Sequence, residues 1–333
     1  MRSTPGKILI IRLSSIGDIV LTSPVIRSLR RCQPEARIHF LTKEAYAPLL
    51  AHHPGIDQLH LFAGDLNATV RELRAEGFDY VLDLHRSLRS RLIKARLRVP
   101  ASTYEKDRWP ILLYMRFRWG QLPTRHTVER YATALRPLGC GLDGEGLEFF
   151  LPEEMRARAA RRVATQFPGQ PPIAVVLGGK FATKKWPTAH FIDLLNELSQ
   201  PVILIGGPAE AEEAREIAAA INVPSYVAAG QGGLLDSAAL MTTAQLVITH
   251  DTGLMHIAVA LRLPVCSLWG STVPEIGFAP YRAENALLVQ HPGPLDCRPC
   301  SKIGHAECPK GHFRCMRELT VERVQAAIQD RFG

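Results

Sequence analysis

The sequence predicts an α/β protein made of two Rossmann-like, doubly wound parallel-sheet domains facing a cleft. Three observations predict it. Short, wholly apolar runs alternate with longer segments whose apolar residues recur at helical spacing. Glycine-rich turns follow several of those runs. The alternation breaks once, near 141–152, where Gly and acidic residues replace periodic elements, and then restarts. The chain has 333 residues, 46% of them hydrophobic, enough for two domains of ordinary size. The expected division is 1–150, 151–318 and a terminal helix within 319–333.

Taken in order, residues 7–13 read as a buried strand and 19–31 as the helix that follows it. Residues 38–42 and 80–84 read as further strands. Residues 44–51, 65–76, 88–97 and 127–138 read as helices, the last ended by Gly139 as a C-terminal cap. In the second half, a helix over 153–166 precedes strands at 173–177, 202–205, 246–249 and 265–269. Helices near 190–198, 209–220, 235–243 and 254–261 separate them, and 321–332 closes the chain. Two sheets of this kind bind ligands at the carboxyl ends of their strands.

No apolar run approaches the roughly 18 residues of a membrane span, and the first residues carry no cleavage site, so a cytoplasmic protein is expected. The net charge of +8 points to an anionic partner: nucleic acid, a membrane face or a phosphorylated substrate. The excess is concentrated, with twelve Lys or Arg against three acids from Arg86 to Arg130. No zinc-finger, RNA-recognition or helix-turn-helix pattern accompanies it, so nucleic acid is kept only as the alternative of another class. Seven cysteines in a cytosolic chain argue against a disulfide framework; Cys32, Cys140 and Cys266 read as buried small hydrophobes. Cys297, Cys300, Cys308 and Cys315 are clustered. They fit a structural four-thiolate zinc site in ligand number, with free thiols as the other reading.

The chemistry should lie in the loops after strands. Ser14-Ser15-Ile16-Gly17-Asp18 opens a helix after the first strand but is not a dinucleotide turn. Gly17 permits a tight turn. Asp18 reads either as a helix cap or as a general base at the cleft mouth. Lys180, Lys184 and Lys185, beside Gly178-Gly179 and Thr183 and ahead of Trp186-Pro187, suit a diphosphate, with a solvated loop as the other reading. The strongest element is His250-Asp251-Thr252-Gly253-Leu254-Met255-His256, where a helix N-terminus after an apolar strand offers amides to phosphate oxygens. Asp251 would rather hold sugar or ribose hydroxyls than touch a diphosphate. Gly206-Gly207-Pro208-Ala209-Glu210 and Gly230-Gln231-Gly232-Gly233 are two weaker turns that would admit a nucleotide. No Asp-x-Asp pair for a catalytic divalent ion occurs.

Together these loops resemble the lipopolysaccharide heptosyltransferases, glycosyltransferase family nine. The resemblance rests on residues 14–20, Lys184-Lys185-Trp186-Pro187, 251–258 and Leu268-Trp269-Gly270-Ser271-Thr272, with similar stretches at 78–84 and 126–130. It implies a GT-B fold and inverting transfer of heptose from ADP-heptose to the Kdo-lipid A inner core, with no cofactor required for catalysis. By the same resemblance Asp18 becomes the base and Lys184 steadies the diphosphate or sugar. Ser14, Ser15, Gly17, Thr183 and Lys185 belong with the donor site, with Asp251, Thr252, Gly253, Leu254 and His256, while Glu210 and Gly232 lie near the ribose and adenine. Arg86, Arg89 and Arg91 suit an anionic glycolipid acceptor and peripheral contact with the inner membrane face. The same fold with another nucleotide sugar or acceptor is the nearer alternative.

Overall fold

The computed structural model describes residues 5–122 and 125–333. The chain divides into two compact units, Met1–Asp107 with Arg125–Phe150, and Arg108–Thr124 with Leu151–Gly333.

Unit 1 is built on five parallel strands: β1 (Lys7–Ile11), β2 (Arg37–Thr42), β3 (Gln58–Leu61), β4 (Tyr80–Asp83) and β5 (Ala101–Thr103). Their order is β3-β2-β1-β4-β5. Its helices are α1 (Ile16–Val20), α2 (Ser23–Cys32), α3 (Leu66–Ala75) and α4 (Leu88–Leu97), then α6 (Thr127–Ala132) after α5 (Arg108–Phe117), which belongs to unit 2. The central strand is apolar on both faces because helices cover both: Ile8, Leu9, Ile10 and Ile11 are fully buried.

Unit 2 has six parallel strands in the order β11-β10-β9-β6-β7-β8. They are β6 (Ile173–Val176), β7 (Val202–Ile205), β8 (Ser225–Val227), β9 (Leu246–His250), β10 (Val265–Trp269) and β11 (Ala286–Gln290). Around them lie α7 (Glu153–Gln166), α8 (Thr188–Leu198), α9 (Ala211–Ala220), α10 (Leu234–Met241), α11 (Gly253–Ala260), α12 (Arg314–Arg317) and α13 (Val321–Phe332). The core gathers Val175, Leu204, Ile248 and Leu268 from the sheet with Trp186, Phe191, Leu194 and, from α13, Val324 and Ile328.

The strand order reverses beside β1 in unit 1 and between β6 and β9 in unit 2. Loops on either side of such a reversal diverge and leave a crevice at the strands' carboxyl ends. The two crevices fall after β1 and β4, and after β6 and β9, where the sequence placed its candidate residues.

Several local expectations change. Residues 19–31 form two helices instead of one, because Pro24 at the start of α2 cannot donate the amide a continuous helix needs. Residues 44–51 tighten into a 3₁₀ segment containing Pro48. Residues 127–138 begin as α6 and finish as a 3₁₀ turn around Pro137, after which Gly139 takes φ 71°. The short strands β3, β5, β8 and β11 and helix α5 were not read from the sequence.

The largest correction concerns Cys32 and Cys140, which are disulfide-bonded, with 5.8 Å between their Cα atoms. They lie 108 residues apart, and only the packing of α2 beside α6 juxtaposes them, which spacing cannot reveal. Cys266 is a free, buried thiol, as its apolar strand suggests. Residues 141–150 are pinned to α2: Arg27 donates to both Asp143 and Glu148, and Arg31 pairs with Asp143 and Glu145.

Candidate active site

In unit 1, Asp18 sits in the first turn of α1, directly beyond β1. Its Oδ1 accepts from the Tyr131 hydroxyl at 2.8 Å and meets the Arg12 guanidinium at 2.7 Å. Its Oδ2 accepts from the Ser15 hydroxyl at 2.8 Å and from the Ser15 amide at 3.4 Å. The carboxylate therefore does cap its helix, and its side chain is still partly open to solvent at 21%. Burial alone would raise its pKa. The Arg12 cation and the hydrogen bonds from Tyr131 and Ser15 outweigh burial and hold it below the ordinary aspartate value.

Arg12 is itself buried and anchored. Nε donates to the Ser14 carbonyl and Nη1 to the Leu84 carbonyl, both at 2.6 Å, and the guanidinium lies over the Tyr131 ring. At the end of β4, fully buried Asp83 accepts from the amides of His85 and Arg86 and from the Ser90 hydroxyl. It thus fixes the turn that presents Arg86, whose φ is 52°. Burial, then the nearby Arg12 charge, pushes the His85 pKa down to about 4. Burial, Arg12 and Arg86 likewise lower Lys106. The crevice thus gathers Arg12, Arg86 and Lys106 around the Asp18 and Asp83 carboxylates. Arg89 and Arg91 lie exposed on α4. All three acids of the basic stretch are engaged: Glu105 with Arg125 and Arg136, Asp107 with Arg125 and Arg130, and Glu129 with the His126 amide.

In unit 2, Lys184 ends a short 3₁₀ turn beyond β6, and its ammonium reaches Asp251, beyond β9. Nζ donates to Asp251 Oδ2 at 2.6 Å and to the Asp251 carbonyl at 3.1 Å. Thr272, after β10, donates to the same carboxylate oxygen at 2.8 Å. The loops after β6 and β10 thus converge on Asp251, which follows β9. Thr252 is the N-cap of α11, its hydroxyl accepting from the Met255 amide at 3.4 Å. Gly253 and Leu254 form that helix's first turn and keep the positive end of its dipole at the crevice.

Other expected donor residues take different positions. Thr183 is buried, its hydroxyl donating to the His305 carbonyl and accepting from Ser271 and from the His305 amide. It braces the turn that carries Lys184. Lys185 turns to Glu210 and Glu213 at 3.1 and 3.4 Å, and Glu210 also accepts from the Gly207 amide. Gly232, at φ 88°, lets the chain enter α10, where an added Cβ would meet Asp236 at 2.9 Å. His256 is buried within α11, its ring 6.4 Å from Phe278. Ser14, Ser15 and Gly17 stand with Asp18 in unit 1.

The four clustered cysteines carry free thiols. Cys297 Sγ lies 3.7 Å from His312 Nε2. In a tetrahedral zinc site the sulfurs stand about 3.8 Å apart. No three of these thiols come mutually within 4.8 Å; among the described residues the trio that does is His39, His60 and Glu76 in unit 1. The four thiols still gather in one place: after burial, Cys297, Cys315 and Cys308 raise the Cys300 pKa, and Cys297 and Cys308 act likewise on Cys315. The loop also braces unit 2. Arg298, inside the Cys-x-x-Cys, donates to the carbonyls of Trp269, Gly270 and Thr272 and to Gln290, while the Cys300 amide donates to Ser271.

Arg12, Tyr131, Asp83, Thr272 and Arg298 are the residues that sequence reasoning did not place in the site. A signal existed for Arg12, a cation set inside an otherwise apolar stretch from Ile8 to Leu13. It existed also for Asp83, a carboxylate ending a buried strand.

Residues 66–308, more than half of the chain, match glycosyltransferase family 9 (heptosyltransferase). Lipopolysaccharide heptosyltransferase 1 of Pseudomonas aeruginosa is 26% identical over 89% of this chain and 86% of its own length. The fold matches a crystal structure of a family 9 glycosyl transferase from Veillonella parvula at TM-score 0.81 and 24% identity, over 98% of this chain and 96% of that one. It also matches the E. coli ADP-heptose lps heptosyltransferase II at TM-score 0.75 and 21% identity, over 97% and 98%. The two-sheet α/β architecture is therefore that of the GT-B heptosyltransferases. The chain belongs to glycosyltransferase family 9, the heptosyltransferases.

Proposed function

We propose that this glycosyltransferase moves heptose from ADP-heptose to the lipopolysaccharide inner core, by inversion and without a catalytic metal. Unit 2 holds the donor and unit 1 supplies the base and the acceptor's anion-binding groups. The observation that carries the reading is the ionised, partly open Asp18 at the end of β1, held by Arg12, Tyr131 and Ser15. Its carboxylate takes the proton of the acceptor hydroxyl as that oxygen attacks the anomeric carbon. The leaving nucleoside diphosphate needs positive charge, which Lys184 and the first-turn amides of α11 supply. An ammonium has three donors, and two of Lys184's go to Asp251, leaving one for a phosphate oxygen. Asp251, tied by Lys184 and Thr272, positions that ammonium and is itself suited to a sugar hydroxyl. Arg86, Arg89 and Arg91 attract the acceptor's phosphates and carboxylates.

The donor assignment is supported by the named activity of the E. coli structural neighbour, an ADP-heptose lps heptosyltransferase. The test is incubation with ADP-heptose and a set of truncated Kdo-lipid A core acceptors, read by mass spectrometry and NMR. A gain of one heptose with inverted anomeric configuration, undiminished by EDTA, is expected. Transfer only from another nucleotide sugar, or transfer abolished by EDTA, would overturn the reading.

A further inference from the structure

Three side chains at the outer edge of the unit 1 sheet have no part in the proposed transfer. The parallel register sets His39 of β2 beside Gln58 of β3, and Leu41 beside His60. Residues paired in this way share a face, so both imidazoles lie on the side where Leu41 joins Val70 and Leu73 of α3 in one core. Each ring is buried, and Phe78 packs edge-on against both. His39 Nδ1 stands 2.9 Å from His60 Nε2. Glu76, at the end of α3, brings a carboxylate oxygen within 4.8 Å of a nitrogen of each ring. One turn earlier, Glu72 accepts from His60 Nδ1 at 2.8 Å.

We infer that His39, His60 and Glu76 form a binding site for a divalent cation of the zinc class, which ties β2, β3 and α3 together. A four-coordinate zinc with bonds of about 2.0–2.1 Å holds two nitrogens about 3.3 Å apart, so the rings need to part by only about 0.4 Å. The Glu72 carboxylate requires a proton on His60 Nδ1, which leaves the Nε2 lone pair facing the gap. A carboxylate placed behind a histidine in this way is the usual orienting partner of a metal-bound imidazole. His39 then carries the proton shared between the rings on Nδ1. On binding it gives up that proton and takes one at Nε2, staying neutral. Glu76 can contribute an oxygen because its two are held unequally: Lys7 Nζ donates to Oε2 at 3.0 Å, whereas Gln58 donates to Oε1 only at 3.3 Å. Water completes the tetrahedron. Two imidazoles and a carboxylate, with no thiolate, suit zinc, cobalt or nickel better than the oxygen-liganded calcium or magnesium. Lys7 begins β1 and Asp18 lies beyond its other end, so the metal is structural: it fastens the four-residue edge strand β3. The Glu72 and Glu76 side chains are 56% and 25% exposed, which gives the ion its path in. The inference does not depend on which sugar is moved.

The probes are zinc chloride and cobalt(II) chloride, added to the full chain without a histidine tag. A Cys297→Ser, Cys308→Ser background keeps the clustered thiols from competing. The visible bands of tetrahedral cobalt should grow to saturation at a single equivalent per chain, without sulfur-to-cobalt charge transfer, and zinc should abolish them. Zinc should also raise the melting temperature. His60→Asn and Glu76→Gln should each weaken cobalt binding by about 100-fold or more. Glu72→Gln, which removes only the orienting partner, should weaken it by about 10- to 100-fold. Glu76→Gln keeps the buried histidine pair, so it decides the matter even where His60→Asn fails to fold. Three results would overturn the inference: no visible bands with about a tenfold excess of cobalt, a zinc absorption-edge spectrum showing sulfur at about 2.3 Å, or equal affinity in the background protein and its Glu76→Gln variant.

Discussion

Replacing Asp18 with Asn isolates the charge on which the proposed mechanism depends. The side chain keeps its shape, and an amide oxygen can still accept from Tyr131. What disappears is the negative charge 2.7 Å from Arg12. Removing one partner of a buried pair costs about 3–5 kcal/mol when the remaining charge is stranded. Arg12 is not wholly stranded, since the Ser14 and Leu84 carbonyls each accept from it at 2.6 Å. The expected cost is therefore smaller, about 1–3 kcal/mol, seen as a drop of a few degrees in melting temperature. Loss of a general base slows turnover by about 100- to 10,000-fold. On the proposed reading ADP affinity should change little, because Lys184, Asp251 and the α11 amides assigned to the diphosphate belong to unit 2 and Asp18 to unit 1. The assays are ADP calorimetry, thermal melting and initial rates of transfer on folded protein. Turnover within about threefold of the parent, or a parallel loss of ADP binding, would remove Asp18 from the role of base.

Three other substitutions test neighbouring steps. Arg12→Met leaves burial, the largest influence on Asp18, opposed only by hydrogen bonds, so the aspartate pKa rises and the acid limb of the kcat profile moves to higher pH; a limb that stays in place contradicts the pairing. Lys184→Met leaves the Asp251 carboxylate buried with only Thr272 beside it, costing about 3–5 kcal/mol and weakening ADP binding, whereas Lys184→Met with Asp251→Asn recovers the stability without the activity; melting curves and calorimetry on both variants decide it. His250 accepts the Trp186 amide through Nε2 and is fully buried, which pushes its pKa down to about 3. Because that folded value lies below the unfolded one near 6.5, the neutral ring's contribution is complete above about pH 6.5 and is lost as pH falls toward 3. Acid melts of His250→Gln should show a shallower loss of stability across that window, and an unchanged slope would exclude His250 as a source.

The sequence shows the parallel architecture clearly because its central strands are buried on both faces and read as apolar runs with only an occasional polar residue, such as Ser267 in β10 or His250 at the end of β9. Residues 202–205 and 265–269 have the bounds the apolar runs give them. The edge strands were not legible for the opposite reason: Gln58-Leu59-His60-Leu61 and Ala101-Ser102-Thr103 are short and half polar, and only pairing with β2 and β4 makes them strands. Helix α5 was hidden inside a basic stretch that reads as one charged surface. In the candidate site, Asp18 and the Lys184 and Asp251 loops were legible through position after a strand and through motif. Arg12 and Tyr131 were not, because a hydrogen bond between residues 113 apart leaves no trace in spacing. Thr183 illustrates the converse: a motif places a hydroxyl beside a ligand loop, but the loop over 297–305 turns it inward.

A base with a lowered pKa looks ill suited to deprotonating an alcohol, and the difficulty disappears once the order of bond changes is considered. Before attack the acceptor hydroxyl is far less acidic than any carboxylic acid, so no carboxylate could ionise it in advance. With an oxocarbenium-like anomeric centre the diphosphate leaves early, and the hydroxyl becomes strongly acidic only as the new C–O bond forms. The proton then moves late and downhill, even to a weak base. What the proposed mechanism needs from Asp18 is that it be ionised, fixed in direction, and quick to return the proton to water. Arg12 secures the first, Tyr131 and Ser15 the second, and the open edge of the carboxylate the third. The same arrangement favours the proposed role over a purely structural one: a cap on a five-residue helix has no need of a buried arginine held by two carbonyls and an aromatic ring.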